Sequence, residues 1–505
     1  MRRVLSLAVL LAAACGERVV EVRSRGQTLV FVDSDLPVPR FVSRLRIDLY
    51  TTTGRWYASR DFSLARPSDW PTSFGVFLPE NEPERVAVVR LRAYPEGFRR
   101  DYRGERFVAR PPRTLDASSV EDLPLPPATE APRLIDEAGS DATPETEPQP
   151  LLAIDRLVRV AVRPADRTEV HVDLRAACVG TMADVAGMRT CVDTEAVLVP
   201  VETAEPRSQT ERRPTFDPVV PCTITPRAGT PGLFDDEVCI AGAMFRLGSE
   251  DGVFGNAEAL PERVAILDAF LLDRWEVTVA RLRAAIARGF VVPDGELTAN
   301  EGPIPTTRTP FEDPSLCSWS TTPQGREAHA VTCIGWAGAR AFCRFEGGDL
   351  PSEAEWEYAA AVAARPFRTR FAWGGPDDAT PTCERATWGR GETPFEQLCV
   401  GNGFGPLPAD ARSGPEGDLT PETRIVNLGG GVAEWTRDAF AKMSARCWAS
   451  APLREPGCEV DGATSHTIRG ATWRDNLVAL IAGTRRFEEK ANSAVGFRCM
   501  RKGSP

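Results

Sequence analysis

The sequence is poor in the residues that bind transition metals in proteins. Its three histidines, His171, His329 and His466, lie far apart, and none of its thirteen cysteines belongs to a C-x-x-C pair. Zinc sites and histidine-bound iron centres use closely spaced groups of these residues. The sequence therefore argues against both kinds of metal centre.

Positive charge and long apolar segments are also scarce. The 505 residues carry a formal net charge of −11 at pH 7, which does not favour attraction to the phosphate backbone of nucleic acids. Nucleic acid is therefore not an expected partner. Beyond the first fifteen residues, no segment is apolar enough and long enough to span a membrane.

The first fifteen residues, MRRVLSLAVLLAAAC, combine two arginines, an apolar run and small residues, as secretory signal peptides do. Small residues directly before Cys15 resemble the lipobox of bacterial lipoproteins, in which this cysteine is lipidated and becomes the mature N-terminus. The alternative is a plain Ala-x-Ala cleavage site. We predict a signal peptide over residues 1–15 and a lipoprotein of the periplasm or outer membrane, attached to the membrane through Cys15.

The other twelve cysteines all follow residue 177. An even number of cysteines in an exported chain indicates structural disulfides. The short loops Cys178…Cys191, Cys383…Cys399 and Cys447…Cys458 would be easy to close, although the connectivity does not follow from the sequence.

Alternating apolar residues mark the N-terminal part as β-structure. Leu45, Ile47 and Leu49 share one face of a segment, and the ranges 89–93, 158–162 and 170–174 repeat this period of two. The pattern predicts an antiparallel, sandwich-like all-β domain over residues 17–201. Within it, the acidic, proline-rich range 111–150 should be a disordered insertion, because it has little apolar surface to bury. Residues 202–232 should form a linker to a C-terminal domain at 233–502.

One C-terminal stretch, LPSEAEWEYAAA, concentrates carboxylates at the start of a helix. Ser352 and Glu355 form an S-x-x-E capping box, and Glu353 lies in the first turn, where a carboxylate gains from the helix dipole. Trp356 and the alanines after it should form the buried face. We therefore interpret these carboxylates as structural rather than catalytic.

The same stretch belongs to a set of motifs that resembles the formylglycine-generating enzyme, or sulfatase-modifying factor, family. The motifs span about residues 234–502 in the family's order, as MFRLGSEDG, FLLDRWEVT, CIGWAGARAFCRFEGGDLPSEAEWEYAAA, FAWGG, NLGGGVAEWTRD, IRGATWRD and VGFRCMR. The resemblance implies an α+β, loop-rich, C-type-lectin-like domain with a disulfide between Cys343 and Cys499. It also implies that Arg469 and Arg498 are buried structural arginines.

The family's chemistry depends on residues that this sequence lacks. Its enzymes oxidise a sulfatase cysteine to formylglycine with oxygen and a copper(I) ion held by two thiolates. The alignment places Asp475 and Leu480 at those two positions, and neither supplies the soft sulfur that copper(I) prefers. Copper is therefore not expected.

Calcium is the other ion that the resemblance implies. Members of the family bind it on loops, where it has a structural role. Gly431 stands where the family has an asparagine ligand, but Asn402 and Asp410 offer oxygen ligands on a glycine-rich loop. We predict that a structural calcium site at Asn402 and Asp410 is the one that persists.

Loss of both thiolates alongside the structural motifs indicates a pseudoenzyme. We predict an envelope-anchored protein with a non-catalytic binding or scaffold role toward an envelope protein or a glycan. Its binding cleft should involve Glu434, Trp435, Thr472 and Trp473. The alternative is an oxidoreductase of the formylglycine-generating type, dependent on copper or non-heme iron, with relocated active-site residues.

Overall fold

The computed structural model describes residues 26–78, 83–104, 107–111, 113, 115–123, 133–164, 166–193, 197–206, 219–249, 257–307, 309–310, 313–375, 381–391, 393, 398–399, 401 and 403–503. The predicted signal peptide, Cys15 and Asn402 lie outside the described residues. So do residues 207–218 of the predicted linker.

The described residues are mostly β-strand with few helices. No helix among them is long and apolar enough to cross a membrane. The strands are β1 (Gln27–Ser34), β2 (Arg44–Tyr50), β3 (Trp56–Ser63), β4 (Thr72–Phe77), β5 (Arg85–Tyr94), β6 (Arg99–Asp101), β7 (Thr146–Pro148), β8 (Ile154–Val162), β9 (Arg167–Leu174), β10 (Arg189–Cys191), β11 (Leu198–Pro200), β12 (Glu237–Ile240), β13 (Ala243–Leu247), β14 (Arg263–Leu267), β15 (Phe270–Asp273), β16 (Ala433–Ala439), β17 (His466–Arg469), β18 (Arg486–Glu488), β19 (Val495–Gly496) and β20 (Met500–Lys502). The α-helices are α1 (Val279–Ala287), α2 (Trp336–Phe345), α3 (Glu353–Ala361) and α4 (Arg446–Ser450).

Two sheets in the N-terminal half share one hydrophobic core. Their strand orders are β3-β2-β5-β8 and β4-β1-β9, and alternate residues such as Val30, Leu45 and Val160 point into the core between them. The first sheet is antiparallel. Strand β1, however, pairs with β9 in parallel, which differs from the antiparallel prediction. A parallel pair needs a long crossover, and here β2 to β8 lie between the two strands in the chain.

The opposite face of the four-stranded sheet carries buried charges. Asp48 accepts hydrogen bonds from Arg46 and Arg92 at 3.2 and 2.5 Å, and Arg90 forms a two-pronged ion pair with Asp155 at 2.8 and 2.6 Å. All five side chains are buried. Burying a charge is costly unless it is paired, and these ion pairs make this face a second, polar core.

Part of the range 111–150 covers this polar core. Strand β7 pairs with β6, Glu147 accepts a hydrogen bond from Arg100 at 2.8 Å, and Leu134 is buried against Tyr50 and Trp56. The prediction of disorder is therefore wrong for these parts, because ion pairs and polar contacts hold the segment where apolar surface is scarce. Residues 124–132 of the range lie outside the described residues.

The C-terminal half contains two further sheets, β12-β15-β20 and β18-β17-β16-β19, and the hairpin β13-β14. Helices α2 and α3 pack against β16. Met244, Val264 and Ile266 of the hairpin join the core of the N-terminal sheets. The hairpin thereby links the two halves through shared apolar packing, and the domain boundaries at 201 and 233 stay a prediction.

Candidate functional site

Asp475 lies in the turn after β17 and is held by its neighbours. Its Oδ2 accepts hydrogen bonds from the backbone N of Thr472 at 2.7 Å and from Nη1 of Arg486 at 2.6 Å. Its backbone N donates in turn to the carbonyl of Thr472 at 3.1 Å. The carboxylate therefore closes a turn and neutralises an arginine.

Leu480, the second of the two positions, is a core residue. It is buried in an apolar cluster with Phe371, Trp388 and Ala471. The 3-10 turn Leu477–Leu480 begins at Asn476, whose side chain accepts from the backbone N of Val478. This turn directs Leu480 inward, where it contributes packing and offers no reactive atom.

The four residues predicted to line a cleft are buried instead. Glu434 and Trp435 lie on β16, and Thr472 and Trp473 follow β17; none of the four is more than 4% exposed. Trp435 donates its Nε1 hydrogen to the carbonyl of Ile334 at 3.0 Å, and Trp473 donates to that of Ser493 at 3.2 Å. These indoles anchor loops, so the predicted cleft between them is not formed.

The carboxylates of α3 are paired with buried arginines. Arg469 donates to Glu353 at 2.7 Å and to Glu357 at 2.6 Å, and Arg485 donates to Glu353 at 2.8 Å. Ser352 and Glu355 form the predicted capping box. Every residue of the helix is buried, so the prediction of one buried face is too narrow. Pairing with these arginines offsets the free-energy cost of burying the carboxylates of α3.

Arg498 supports the centre of the domain in the same way. Its guanidinium donates to both carboxylate oxygens of Glu434, at 2.7 and 2.6 Å, and to the carbonyl of Val426 at 2.8 Å. Glu434 also accepts from Nε1 of Trp356 at 2.7 Å. These contacts assign structural roles to Arg498 and Glu434.

Every cysteine after Cys15 belongs to a disulfide. The pairs are Cys178–Cys191, Cys222–Cys239, Cys317–Cys333, Cys343–Cys499, Cys383–Cys399 and Cys447–Cys458. The described residues therefore contain no free thiol. The structure makes the Cys343–Cys499 link that the resemblance implies.

An open cavity of about 810 Å³ is lined by Trp373 and by loop residues between 381 and 417. Trp373 forms part of its wall and stacks on Phe371, with ring centroids 5.0 Å apart. Phe371 contacts the same apolar cluster as Leu480. Phe371 and Trp373 thus connect the wall of this opening with the cluster that contains Leu480.

A second opening, which we call the polar cleft, lies between α2 and the loops around residues 295–298, 459–466 and 489–491 and has a volume of about 760 Å³. Trp336 stacks on His466 with ring centroids 3.7 Å apart, and the guanidinium of Arg340 lies 5.1 Å from the Trp336 ring. Arg340 also donates to Glu459 at 2.7 Å. The cleft therefore combines aromatic surface with both signs of charge.

His466 supplies a neutral imidazole to the polar cleft. Burial lowers its pKa to about 4, so the ring is uncharged at neutral pH. The cleft can bind a polar ligand through aromatic contacts and hydrogen bonds.

Comparison with known proteins identifies the C-terminal half. The model of the family described as "Sulfatase-modifying factor enzyme 1-like domain" matches residues 225–503. The chain belongs to this family.

Curated relatives in the sulfatase-modifying factor family are named formylglycine-generating enzyme. The protein from Streptomyces coelicolor is 31% identical over 183 residues, which cover 35% of this chain and 53% of that relative. The chain thus spans about half the length of that relative. The protein from Thermomonospora curvata is 28% identical over 305 residues, covering 54% of this chain and 96% of that protein.

The solved structure of PvdO from Pseudomonas aeruginosa is also similar. It superposes with a TM-score of 0.41 and 18% sequence identity, covering 55% of this chain and 98% of PvdO.

The two family thiolate positions do not fit copper(I) in this chain. Leu480 has no donor atom, and the Asp475 carboxylate already accepts from Arg486 and Thr472. Copper(I) prefers soft sulfur ligands over a carboxylate oxygen. We therefore derive no copper-dependent step for these residues.

The calcium prediction rests on one described residue. Asp410 is exposed, and the carbonyl of Asp410 accepts a hydrogen bond from Oγ of Ser413 at 2.7 Å, while Asn402 lies outside the described residues. Gly431 has a φ of +101°, and a Cβ there would lie 2.8 Å from Oε1 of Glu276. Glycine therefore fits position 431 better than the asparagine of the family. Calcium binding at Asn402 and Asp410 stays a prediction.

The polar cleft was missed in the sequence. Trp336 and His466 are 130 residues apart in the chain and meet only because α2 packs beside β16 and its partner β17. An isolated histidine gives no local signal of such a contact. The one local signal was Trp336 within the motif CIGWAGARAF.

Proposed function

We propose that the chain is an envelope-anchored lipoprotein whose sulfatase-modifying factor domain is non-catalytic and serves a binding or scaffold role. The observation that carries the proposal is the state of the two thiolate positions. Asp475 is engaged by Arg486, and Leu480 is buried among apolar side chains. Neither residue can act as a soft metal ligand there, and leucine cannot act as a nucleophile.

The disulfides support the same proposal. Thiolate is the reactive form of cysteine, and all twelve cysteines of the described residues are bonded in pairs. No described cysteine can therefore act as a thiolate elsewhere in the chain unless a disulfide is first reduced.

We further propose a sandwich-like all-β domain in the N-terminal half and a C-type-lectin-like arrangement in the C-terminal half. One core enclosed by two sheets supports the first. Short strands, short helices and long loops in the part of this half that the structure describes fit the second. The polar cleft is the surface we assign to an envelope protein or glycan, because aromatic and charged groups together suit polar ligands.

The full chain is expected to make no formylglycine. We would incubate it with copper, a reductant, oxygen and a peptide containing the sulfatase Cys-x-Pro-x-Arg motif. Mass spectrometry should detect no aldehyde above a no-enzyme control, because the two soft ligands are missing. An active formylglycine-generating enzyme assayed in parallel verifies the conditions.

Aldehyde formation above the no-enzyme control would contradict the non-catalytic proposal and favour an oxidoreductase with relocated residues. The same assay on the Asp475→Asn variant would then tell whether that carboxylate takes part. Loss of the aldehyde in Asp475→Asn would place the chemistry at the turn after β17.

The mature protein is expected to begin at Cys15 and to carry lipid on it. The basis is the apolar run and the small residues that precede Cys15. Mass spectrometry of the N-terminal peptide from membrane-extracted protein should give a mass increase that corresponds to acyl chains. The Cys15→Ser variant should lose this mass and leave the membrane fraction. A mature N-terminus beyond Cys15 would contradict the anchor and leave the domain assignment intact.

A further inference from the structure

A cavity of about 520 Å³ lies at the junction of the two halves of the chain. We call it the junction cavity. Val108, Leu151 and Met182 line it from the N-terminal half, and Pro261 and Met443 line it from the C-terminal half. Sites for small molecules have volumes of roughly 300–1,000 Å³ and are lined mainly by apolar groups. The junction cavity therefore has the size and the walls of a ligand site.

Two arginines meet at one end of the junction cavity. Arg110 lines the cavity, and a small recess that shares Arg110, Leu151 and Gly180 with it extends to Arg263. Both guanidinium groups donate to the carbonyl oxygen of Ala451. Two positive charges therefore lie close together, and one acceptor serves both.

These charges have no carboxylate partner in the part of the chain that the structure describes. Arg110 and Arg263 donate to the backbone carbonyls of Trp448 and Ala451, and Nε of Arg263 is buried without an acceptor. Burial, followed by the charges of Arg110 and Arg113, lowers the pKa of Arg263 to about 10. A buried cation without a counter-charge destabilises the fold, so an anion at this end would be stabilising.

The wall of the junction cavity also contains an unpartnered hydroxyl. Thr181 lines the junction cavity, directly after Gly180 of the recess, and is 6% exposed. Its Oγ1 is buried without a hydrogen-bond partner. Asp184 also lines the cavity, but its Oδ1 accepts from the backbone N of Gly187 at 2.8 Å. The cavity and its recess thus offer one unpartnered hydroxyl, the buried guanidinium of Arg263 and the exposed guanidinium of Arg110.

We propose that the junction cavity binds an anionic amphiphile, an alkyl chain that ends in a carboxylate or phosphate. The alkyl chain occupies the apolar walls, and the anionic head group pairs with Arg110 and Arg263 and accepts from Thr181. Charge-assisted hydrogen bonds to a guanidinium are among the strongest that a protein makes. The source of the ligand is a free fatty acid or a phospholipid, and both share this chemistry.

The test is calorimetric titration of the full chain with decanoate, which is water-soluble at the concentrations needed. One decanoate is expected to bind per chain, while 1-decanol, with the same alkyl chain and no charge, and acetate, with the charge alone, bind at least tenfold more weakly. Decyl phosphate separates the two sources: tighter binding than decanoate indicates a phospholipid, and weaker binding indicates a fatty acid.

Variants assign the binding to the site. Arg110→Gln is expected to weaken decanoate at least tenfold, and Thr181→Val by roughly two- to tenfold, the value of one hydrogen bond. The matched control is Arg60→Gln on β3, an exposed arginine, which should leave the affinity unchanged. Circular dichroism and the thermal midpoint verify that each variant is folded. No decanoate binding, equal binding of 1-decanol, or unchanged affinity in both folded site variants would overturn the proposal.

Discussion

Replacing Arg469 by methionine is expected to lower the free energy of unfolding at pH 7 by about 3–5 kcal/mol, the usual consequence of removing one partner from a buried ion pair. Arg469 is fully buried between Glu353 and Glu357 of α3. Methionine fills much of the same volume but leaves the Glu357 carboxylate with fewer donors. Denaturant unfolding with intact disulfides measures the loss.

The loss should depend on pH in a defined direction. Burial raises the pKa of Glu353, but Arg485 and Arg469 outweigh it and hold that pKa below its ordinary value. In the wild type this pairing stabilises the fold above the unfolded-state pKa of glutamate, and the stabilisation is lost as the pH falls through the lower, folded pKa. In the variant this pKa lies nearer its ordinary value, because only Arg485 remains as a partner, so the deficit is constant above about pH 4.3 and narrows as the pH falls below it.

The matched control is Arg344→Met. This arginine is 59% exposed and pairs with Asp349 at 3.4 Å, so its loss should change stability by less than about 1 kcal/mol. Arg469→Lys tests the geometry, because lysine keeps the charge but cannot bridge two carboxylates as a planar fork does. Equal losses in Arg469→Met and Arg344→Met would contradict the structural role assigned to Arg469.

Local patterns in the sequence predicted strands and caps, because these depend on residues close in the chain. The alternation of Leu45 and Ile47 matches β2, and the capping box of Ser352 and Glu355 is formed. The same alternation did not show that Arg46 is buried beneath the later strand β7. A polar face turned toward water and a polar face covered by a distant segment have the same local pattern.

In the candidate site, too, some features followed from the sequence and others depend on contacts between distant residues. The family resemblance implied that Arg469 and Arg498 are buried, and both are fully buried in the structure. The motifs did not show that Trp435 and Trp473 turn inward, since a large aromatic side chain suits a cleft and a core equally. Nor could they reveal Arg110 and Arg263 at the junction cavity, which are about 150 residues apart and meet through contacts between the two halves.

Replacing both Cys343 and Cys499 by alanine is expected to destabilise the fold by about 5 kcal/mol in the chain-entropy model, because this disulfide closes a long loop. The two cysteines are 156 residues apart in the sequence. Cys343 lies on α2 in the apolar cluster that also contains Phe342, Trp435 and Phe497. The link therefore fixes the C-terminal strands to this helix.

The control for the disulfide is a shorter loop in the same domain. Cys383–Cys399 closes a sequence separation of 16 residues, for which the same model gives about 3 kcal/mol. The two double variants should therefore differ by about 2 kcal/mol in denaturant unfolding under oxidising conditions. If loop length determines the loss of stability, the Cys343/Cys499 variant unfolds at a lower denaturant concentration than the Cys383/Cys399 variant. Equal losses in the two variants would instead mean that the Cys343–Cys499 link stabilises through local packing, and the long closed loop would not explain its effect.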